Sequence, residues 1–395
     1  MLIKEYGVQV SGPLEQWAQE FASHLASLGY VWLVIRRALF VFAFVSNRLG
    51  ARGLRPGDVT AKQVKHLREA RRGIGYGRSL SKVLEFLREV GEVPPVRLIV
   101  RRTGVDRLLE RYREYLVDER GLSGKVVRWY CIVAGRFMEG RPRGAHLRRL
   151  TASEVGEFLR KEVRGFSPGH ARGVAGALRS WVRFLHAKGL IPASLVGAVP
   201  SISGWRGASL PRALTPGAVR GILRACDRRT LNGRRDYAVL LVLVRLGLRA
   251  GEVAHLELDA LDWRQGTVDV HGKGKTLSRL PLPQDVGQAL SAYLVRRPRV
   301  ASRALFLRSR APLQRLTQPA ITHLVAKASR RAGLERVSPH RLRHTLATEM
   351  LRRGATLAQI AQVLRHRSQT TTAIYAKVDR VALRELAQPW PGGVA

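Results

Sequence analysis

This sequence is poor in cysteine, in acidic residues and in long apolar runs. Two cysteines, Cys131 and Cys226, stand far apart in 395 residues. That excludes a disulfide framework and a zinc cluster, and predicts a cytoplasmic protein. The most apolar stretch, Val31 to Val45, is interrupted by Arg36 and Arg37. It is too short and too charged to span a bilayer. The N-terminal MLIKEYGVQV lacks the charged-then-apolar order of a signal peptide, so no membrane association is expected. Acids are scarce, with 29 Asp and Glu against 69 Lys and Arg, for a net charge of +40. Such a chain seeks polyanions, nucleic acid first. Lysine is scarce too, at 11 residues against 58 arginines. Arginine forks bind phosphate bidentately. Codon drift in a GC-rich genome accounts for part of the arginine excess but not for the missing acids. With 45% hydrophobic residues the chain can still build cores, and gross disorder is excluded.

At roughly 150 residues per domain, the length predicts two or three domains. The segment DVTAKQVKHLREARRG (58–73) resembles RLTASEVGEFLRKEVRG (149–165), and FLREVGEVP (86–94) resembles FLHAKGLIP (184–192). FASHLASLGY (21–30) and YREYLVDERGL (112–122) both read as the first helix of such a unit. Two related helical bundles are therefore expected, over 1–97 and 98–193. A stretch rich in Gly, Ser and Pro, 194–212, reads as a linker. The last unit, 213–395, opens on Thr215-Pro216, a helix start. Helices follow, with DYAVLLVLVRLG apolar nearly all round and hence buried. HLELDALDW, TVDVHG and SRLPLP then alternate like strands of a small antiparallel sheet. ITHLVAKASRRAGL, HRLRHTLATEMLRRG and TLAQIAQVLRH return to helical spacing.

Four clusters in this last unit carry possible chemistry. Arg249 follows a glycine after the buried helix, in GLRAGEV, with Glu252 three residues on. Lys273 sits in HGKGK between two predicted strands, where glycines permit a tight turn. His340 and Arg343 share a face in the first turn of the helix begun by Ser338-Pro339, where backbone amides also favour anions. His344 follows on a neighbouring face. His366 ends the next helix, and Tyr375 follows a Ser/Thr-rich stretch. A tyrosine hydroxyl can act as a nucleophile. Taken singly, each also reads as a solvated arginine, a turn lysine or a buried tyrosine.

Together, in this order and context, they resemble the tyrosine recombinases, also called the phage integrase family. The likeness is carried by GLRAGEVAHLELDALDW, HGKGKTLSRLPLP and SPHRLRHTLATEMLRRG, and it covers 213–380 closely and 105–192 loosely. It implies a mainly α fold with a small antiparallel β-sheet: helical N-terminal bundles, the second a core-binding DNA-binding domain, then an α+β catalytic domain. It implies that Arg249, Lys273, His340, Arg343, His366 and the nucleophile Tyr375 are catalytic, with Glu252 holding a catalytic side chain. By the same resemblance, Tyr375 attacks a phosphodiester of duplex DNA and leaves a 3′-phosphotyrosyl link. Lys273 protonates the leaving 5′ oxygen, His366 donates to the phosphate and His340 moves protons near the tyrosine. No cofactor, metal or ATP is implied. The implied assembly is a homo-tetramer on DNA, with accessory or sister recombinases as further partners and a mobile element as the setting. A type IB topoisomerase and a non-catalytic DNA-binding regulator are the competing readings. One position departs from the family: Arg365 stands where a glycine usually precedes the second histidine. It either contacts phosphate or points to solvent.

Overall fold

The structure is a computed structural model that describes residues 1–70, 75–94, 103–141, 146–202, 213–272, 276–365, 372 and 375. The chain divides into two compact units, Met1–Val96 with Ser209–Ala395, and Arg97–Ala208.

The N-terminal part of the first unit opens on a hairpin, β1 (Leu2–Ile3) with β2 (Val8–Gln9). Among the described residues, the α-helices α1 (Ala18–Ser27), α2 (Trp32–Gly50), α3 (Ala61–Glu69) and α4 (Tyr76–Glu89) follow. Helix α2 contains the apolar run, and it buries Ile35, Ala38, Leu39, Phe42, Val45 and Leu49 along one stripe. Phe21 stacks on Phe42 at 4.8 Å and meets Phe86 at 5.2 Å, which centres this core. Among the described residues, no helix is long and apolar enough to cross a membrane.

Among the described residues, the second unit carries the α-helices α5 (Gly104–Glu114), α6 (Gly124–Glu139), α7 (Ala152–Val163) and α8 (Pro168–Ala187). Tyr112, Trp181 and Phe184 pack at its centre. The two sets share a local device. Thr60 opens α3 with a capping box to Gln63, and Thr151 opens α7 with one to Glu154. Residues 194–202, expected to begin a linker, belong to the core instead. Val199 is buried, Leu195, Val196 and Ile202 pack beside it, and Arg179 donates to the Pro200 carbonyl at 2.8 Å. Apolar side chains outweigh a flexible composition there. Residues 203–212 lie outside the described residues.

The C-terminal part is built on α10. Its elements are α9 (Pro216–Arg224), α10 (Leu231–Arg245), α11 (Ala250–His255), β3 (Leu261–Asp262), β4 (Thr267–His271), β5 (Leu277–Pro281), α12 (Gln284–Leu294), α13 (Gln318–Arg331), α14 (Pro339–Arg352) and α15 (Leu357–Leu364). Ala238 to Leu243 of α10 are all buried, and α12 and α14 pack against this helix. The sheet is antiparallel in the order β3-β4-β5. Val268 pairs with Leu280 and Val270 with Ser278, and both valines turn into the core.

The expected strand HLELDALDW is mostly not one of these strands. Its first half pairs elsewhere, through Leu258 N–H to the Arg303 carbonyl and Leu305 N–H to that of Leu256. Only Leu261–Asp262 joins the sheet before Asp262 caps the next turn. Helix α12 was not anticipated from the sequence. The N-terminal helices are seated on this part of the same unit. Leu313 N–H donates to the Leu28 carbonyl at 2.8 Å, and the Leu313 side chain fills the space beside Gly29, whose φ is +79°.

Candidate active site

The first arginine is placed by backbone geometry. Gly247, at φ +58°, turns the chain out of α10, and a Cβ there would lie 2.8 Å from Leu346 and Leu364 side-chain carbons. Leu248 anchors the turn in the core, and Arg249 becomes the residue before α11. Glu252, buried beneath it, closes the box. Its Oε2 accepts from the Arg249 N–H at 2.9 Å and its Oε1 from Arg249 Nη1 at 2.6 Å. Nearly half of the Arg249 side chain remains open to solvent, at 45%, against 6% for Glu252. The guanidinium is thus held through one terminal nitrogen while much of the side chain stays open to solvent.

Arg343 is the opposite case. It is 2% exposed, one helical turn into α14, and donates Nη1 to the Gly247 carbonyl and Nη2 to the Leu364 carbonyl. A buried cation requires such partners. Burial first, then the nearby Arg249 cation, lowers its pKa to about 10. It remains charged at neutral pH.

Helix α14 starts where Ser338 accepts from the Arg341 N–H. His340 and His344, one turn apart, meet edge to face at 4.2 Å. His344 Nδ1, not His340, lies against the Tyr375 hydroxyl, at 2.7 Å. Tyr375 is 1% exposed, packed with Ala347, Ile360 and Leu364. Burial pushes its phenol up to about 12, with Arg343 pulling the other way. Burial, then His340 and Arg343, drives His344 down to about 4. Loss of water around its ring, then Arg343 and Arg249, lowers His340 as well. At neutral pH the hydrogen bond therefore joins a neutral phenol to a neutral imidazole.

Arg365 does not point to solvent. Its side chain is 12% exposed, and Nη2 donates to Glu252 Oε2 at 3.0 Å. Burial alone would raise the Glu252 pKa. The Arg249 N–H, the Arg365 cation and the Arg249 side chain outweigh it and hold the carboxyl below its ordinary range. Arg249, Glu252, Arg365, Leu364, Arg343, His344, His340 and Tyr375 are thus one connected set. Lys273 and His366 lie outside the described residues. The strands flanking Lys273 are closed by Gly272 N–H to the Thr276 carbonyl at 2.7 Å. Among the described residues, no group of three or more His, Cys, Asp or Glu could hold a metal.

This electrostatic arrangement has a measurable consequence. An unfolded imidazole protonates near 6.5, whereas folded His344 stays neutral down to about 4. Between those values only the unfolded chain takes up the proton. Stability present above about pH 6.5 is therefore lost progressively as pH falls, and this loss levels off below about 4. His340 adds in the same direction. The depressed Glu252 adds a further loss once the pH drops through its folded value. Calorimetry from pH 7 to 4 should show a falling Tm, flattened in its upper part by His344→Gln. A level Tm between pH 7 and 5 in the parent chain would exclude a buried neutral His344.

Comparison with known proteins supplies independent information. Residues 212–381 match the phage integrase family. The y4rA protein of Sinorhizobium fredii, named as an integrase/recombinase, is 38% identical over 391 residues, covering 96% of this chain and 95% of that protein. Tyrosine recombinase XerA of Thermococcus onnurineus is 32% identical over 71% of this chain and 94% of its own. Among solved structures, XerH site-specific recombinase bound to a palindromic difH substrate matches with a TM-score of 0.57 at 20% identity, over 70% of this chain and 83% of that one. A lambda integrase tetramer bound to a Holliday junction gives 0.54 at 18%, over 77% and 87%. The structural likeness shows the fold, mainly α with small antiparallel sheets. The sequence relatives show the kinship: the chain belongs to the tyrosine recombinase, or phage integrase, family.

Proposed function

We propose that this protein is a site-specific DNA recombinase that cuts and rejoins duplex DNA through a 3′-phosphotyrosyl intermediate. The observation that carries this reading is the single connected set joining Arg249, Arg343 and the Tyr375–His344 pair. A phosphodiester under attack becomes more negative at its nonbridging oxygens, and preorganised cations lower that barrier. Arg343, fixed by two carbonyls, and Arg249, fixed by Glu252, supply such cations without reorganising. In this reading Tyr375 attacks phosphorus, the bond to the 5′ oxygen breaks, and a 5′ hydroxyl is released. The phenol proton passes to the histidine side of the site, where His344 Nδ1 lies within hydrogen-bond distance of the hydroxyl and His340 lies behind. Lys273 gives a proton to the leaving oxygen, and His366 donates to the phosphate. The phosphotyrosyl link keeps the bond energy, so a 5′ hydroxyl of another strand reseals the break without ATP. The arginine forks provide the charge compensation for which other phosphoryl-transfer enzymes use a metal ion.

Strand exchange between two duplexes requires a tetramer on DNA, which is the assembly proposed, in the setting of a mobile element. The likeness of the helical sets in 1–97 and 98–193 supports a second DNA-clamping bundle at the N-terminus. The test is to capture covalent complexes on a pool of nicked duplexes with randomised cores, then map the protein-linked nucleotide by mass spectrometry. The expected product is a 3′-phosphate on Tyr375, enriched for one core sequence. Relaxation of supercoiled plasmid with no sequence enrichment would replace recombination by a topoisomerase-like activity.

A further inference from the structure

Among the described residues, Arg365 is the one non-glycine residue with positive φ, at +53°. It ends α15 in the left-handed conformation, which glycine adopts with ease and other L residues with reluctance. A guanidinium at such a cap is a backbone liability unless the side chain earns its place. Its contacts indicate how. Nη2 donates to Glu252 Oε2 at 3.0 Å and Nη1 to the Val363 carbonyl at 3.3 Å. The carboxylate it meets is buried, and its other oxygen accepts Arg249 Nη1. One residue earlier, the Leu364 carbonyl accepts Arg343 Nη2. Two consecutive residues at the end of α15 therefore hold both candidate catalytic arginines, one directly and one through Glu252. The chain continues from that cap toward His366 and Tyr375.

We propose that Arg365 is a positioning residue for DNA cleavage, locking Glu252 so that Arg249 stays aimed at the phosphate it shares with Arg343. This rests on the recombinase reading above. The charge pattern sharpens it. Arg249 and Arg365 both pair with the Glu252 carboxylate, and Arg343 is anchored on the residue next to Arg365, so these three cations share one carboxylate and leave two positive charges unbalanced. A bound phosphodiester carries one negative charge, whereas the pentacoordinate state approaches two. The third cation is therefore matched to the state being formed rather than to the DNA at rest. Its contribution falls on the cleavage step and not on binding.

Three variants test this in the full chain. Arg365→Gly removes the guanidinium and at the same time relieves the backbone, so a purely structural role predicts unchanged or improved behaviour. We expect it to keep its fold and DNA affinity, while single-turnover adduct formation on the nicked-duplex pool falls roughly 100-fold. Arg365→Lys, which keeps charge without the fork, should recover part of that rate, and Arg365→Gln little of it. Loss of the cation also makes Glu252 easier to protonate, so the acid limb of the rate profile moves to higher pH. Carboxyl-carbon NMR reads the same change without activity: the Glu252 resonance, assigned by its loss in Glu252→Gln, should titrate at higher pH in Arg365→Gly. Wild-type cleavage by Arg365→Gly, or an unmoved Glu252 titration, overturns the proposal. If the parent chain forms no Tyr375 adduct, the recombinase reading fails by itself, and the NMR titration still decides whether Arg365 controls Glu252.

Discussion

Tyr375→Phe is expected to abolish covalent capture of DNA while leaving the protein folded and bound to its site. The ring is 1% exposed among Ala347, Ile360 and Leu364, and phenylalanine fills the same space. Only the hydrogen bond to His344 Nδ1 is lost. A bond between two neutral groups is worth about 1 kcal/mol, so the fold should barely register the change. The chemistry has no substitute. Removing an attacking group costs a factor on the order of 10⁵–10⁶ where the rest of the site is intact. A denaturing gel of nicked duplex should therefore show a shifted band for the parent and none for the variant, with equal mobility shifts under native conditions. A covalent band from the phenylalanine protein would remove Tyr375 as nucleophile.

Arg343 is expected to be sensitive in both stability and rate. Arg343→Ala leaves the Gly247 and Leu364 carbonyls without their donor at a place 2% exposed. Two buried acceptors left unsatisfied cost roughly 2–5 kcal/mol together. Urea unfolding should show that loss as a lower midpoint. Cleavage should fall by a further factor on the order of 10²–10³ once corrected for the folded fraction, since a preorganised donor to the phosphate is gone. Arg343→Lys keeps the charge but cannot bridge two carbonyls, so it should recover stability only in part. Were the lysine variant as stable and as active as the parent, the two-carbonyl anchorage would not matter.

These expectations draw on residues whose legibility in the sequence differed. Arg249, His340 and Arg343 each sit in a local signal that is weak alone, a glycine after a buried helix or a Ser-Pro helix start. The order of the motifs then linked them to Tyr375. His344 was visible only as a neighbour of His340. Its place against Tyr375 depends on where the chain returns 31 residues later, and no local pattern records that. Arg365 was visible as a departure from the family's glycine. Its partner, Glu252, lies 113 residues away, so the sequence could not show whether the side chain turned in or out. In the fold, the long amphipathic helices were legible because burial follows their period. HLELDALDW was misread because alternation reports a half-buried extended chain without naming its partner. That partner proved to be residues 303–305 for the first half and β4 for only two residues. Residues 194–202 were misread because four apolar side chains, spread among Gly, Ser and Pro, were enough to hold the segment down.

The anchors of Arg343 have one further consequence. A side-chain partner disappears when a single codon changes, but a main-chain carbonyl is carried by all twenty residue types. At 364, substitution can alter size and packing without deleting the acceptor that Arg343 uses. At 247 the acceptor is equally permanent, and what is restricted is the φ of +58° and the space taken by Leu346 and Leu364. The aim of this arginine is thus inherited through chain geometry. Substitutions elsewhere around it leave both carbonyls in place for the guanidinium.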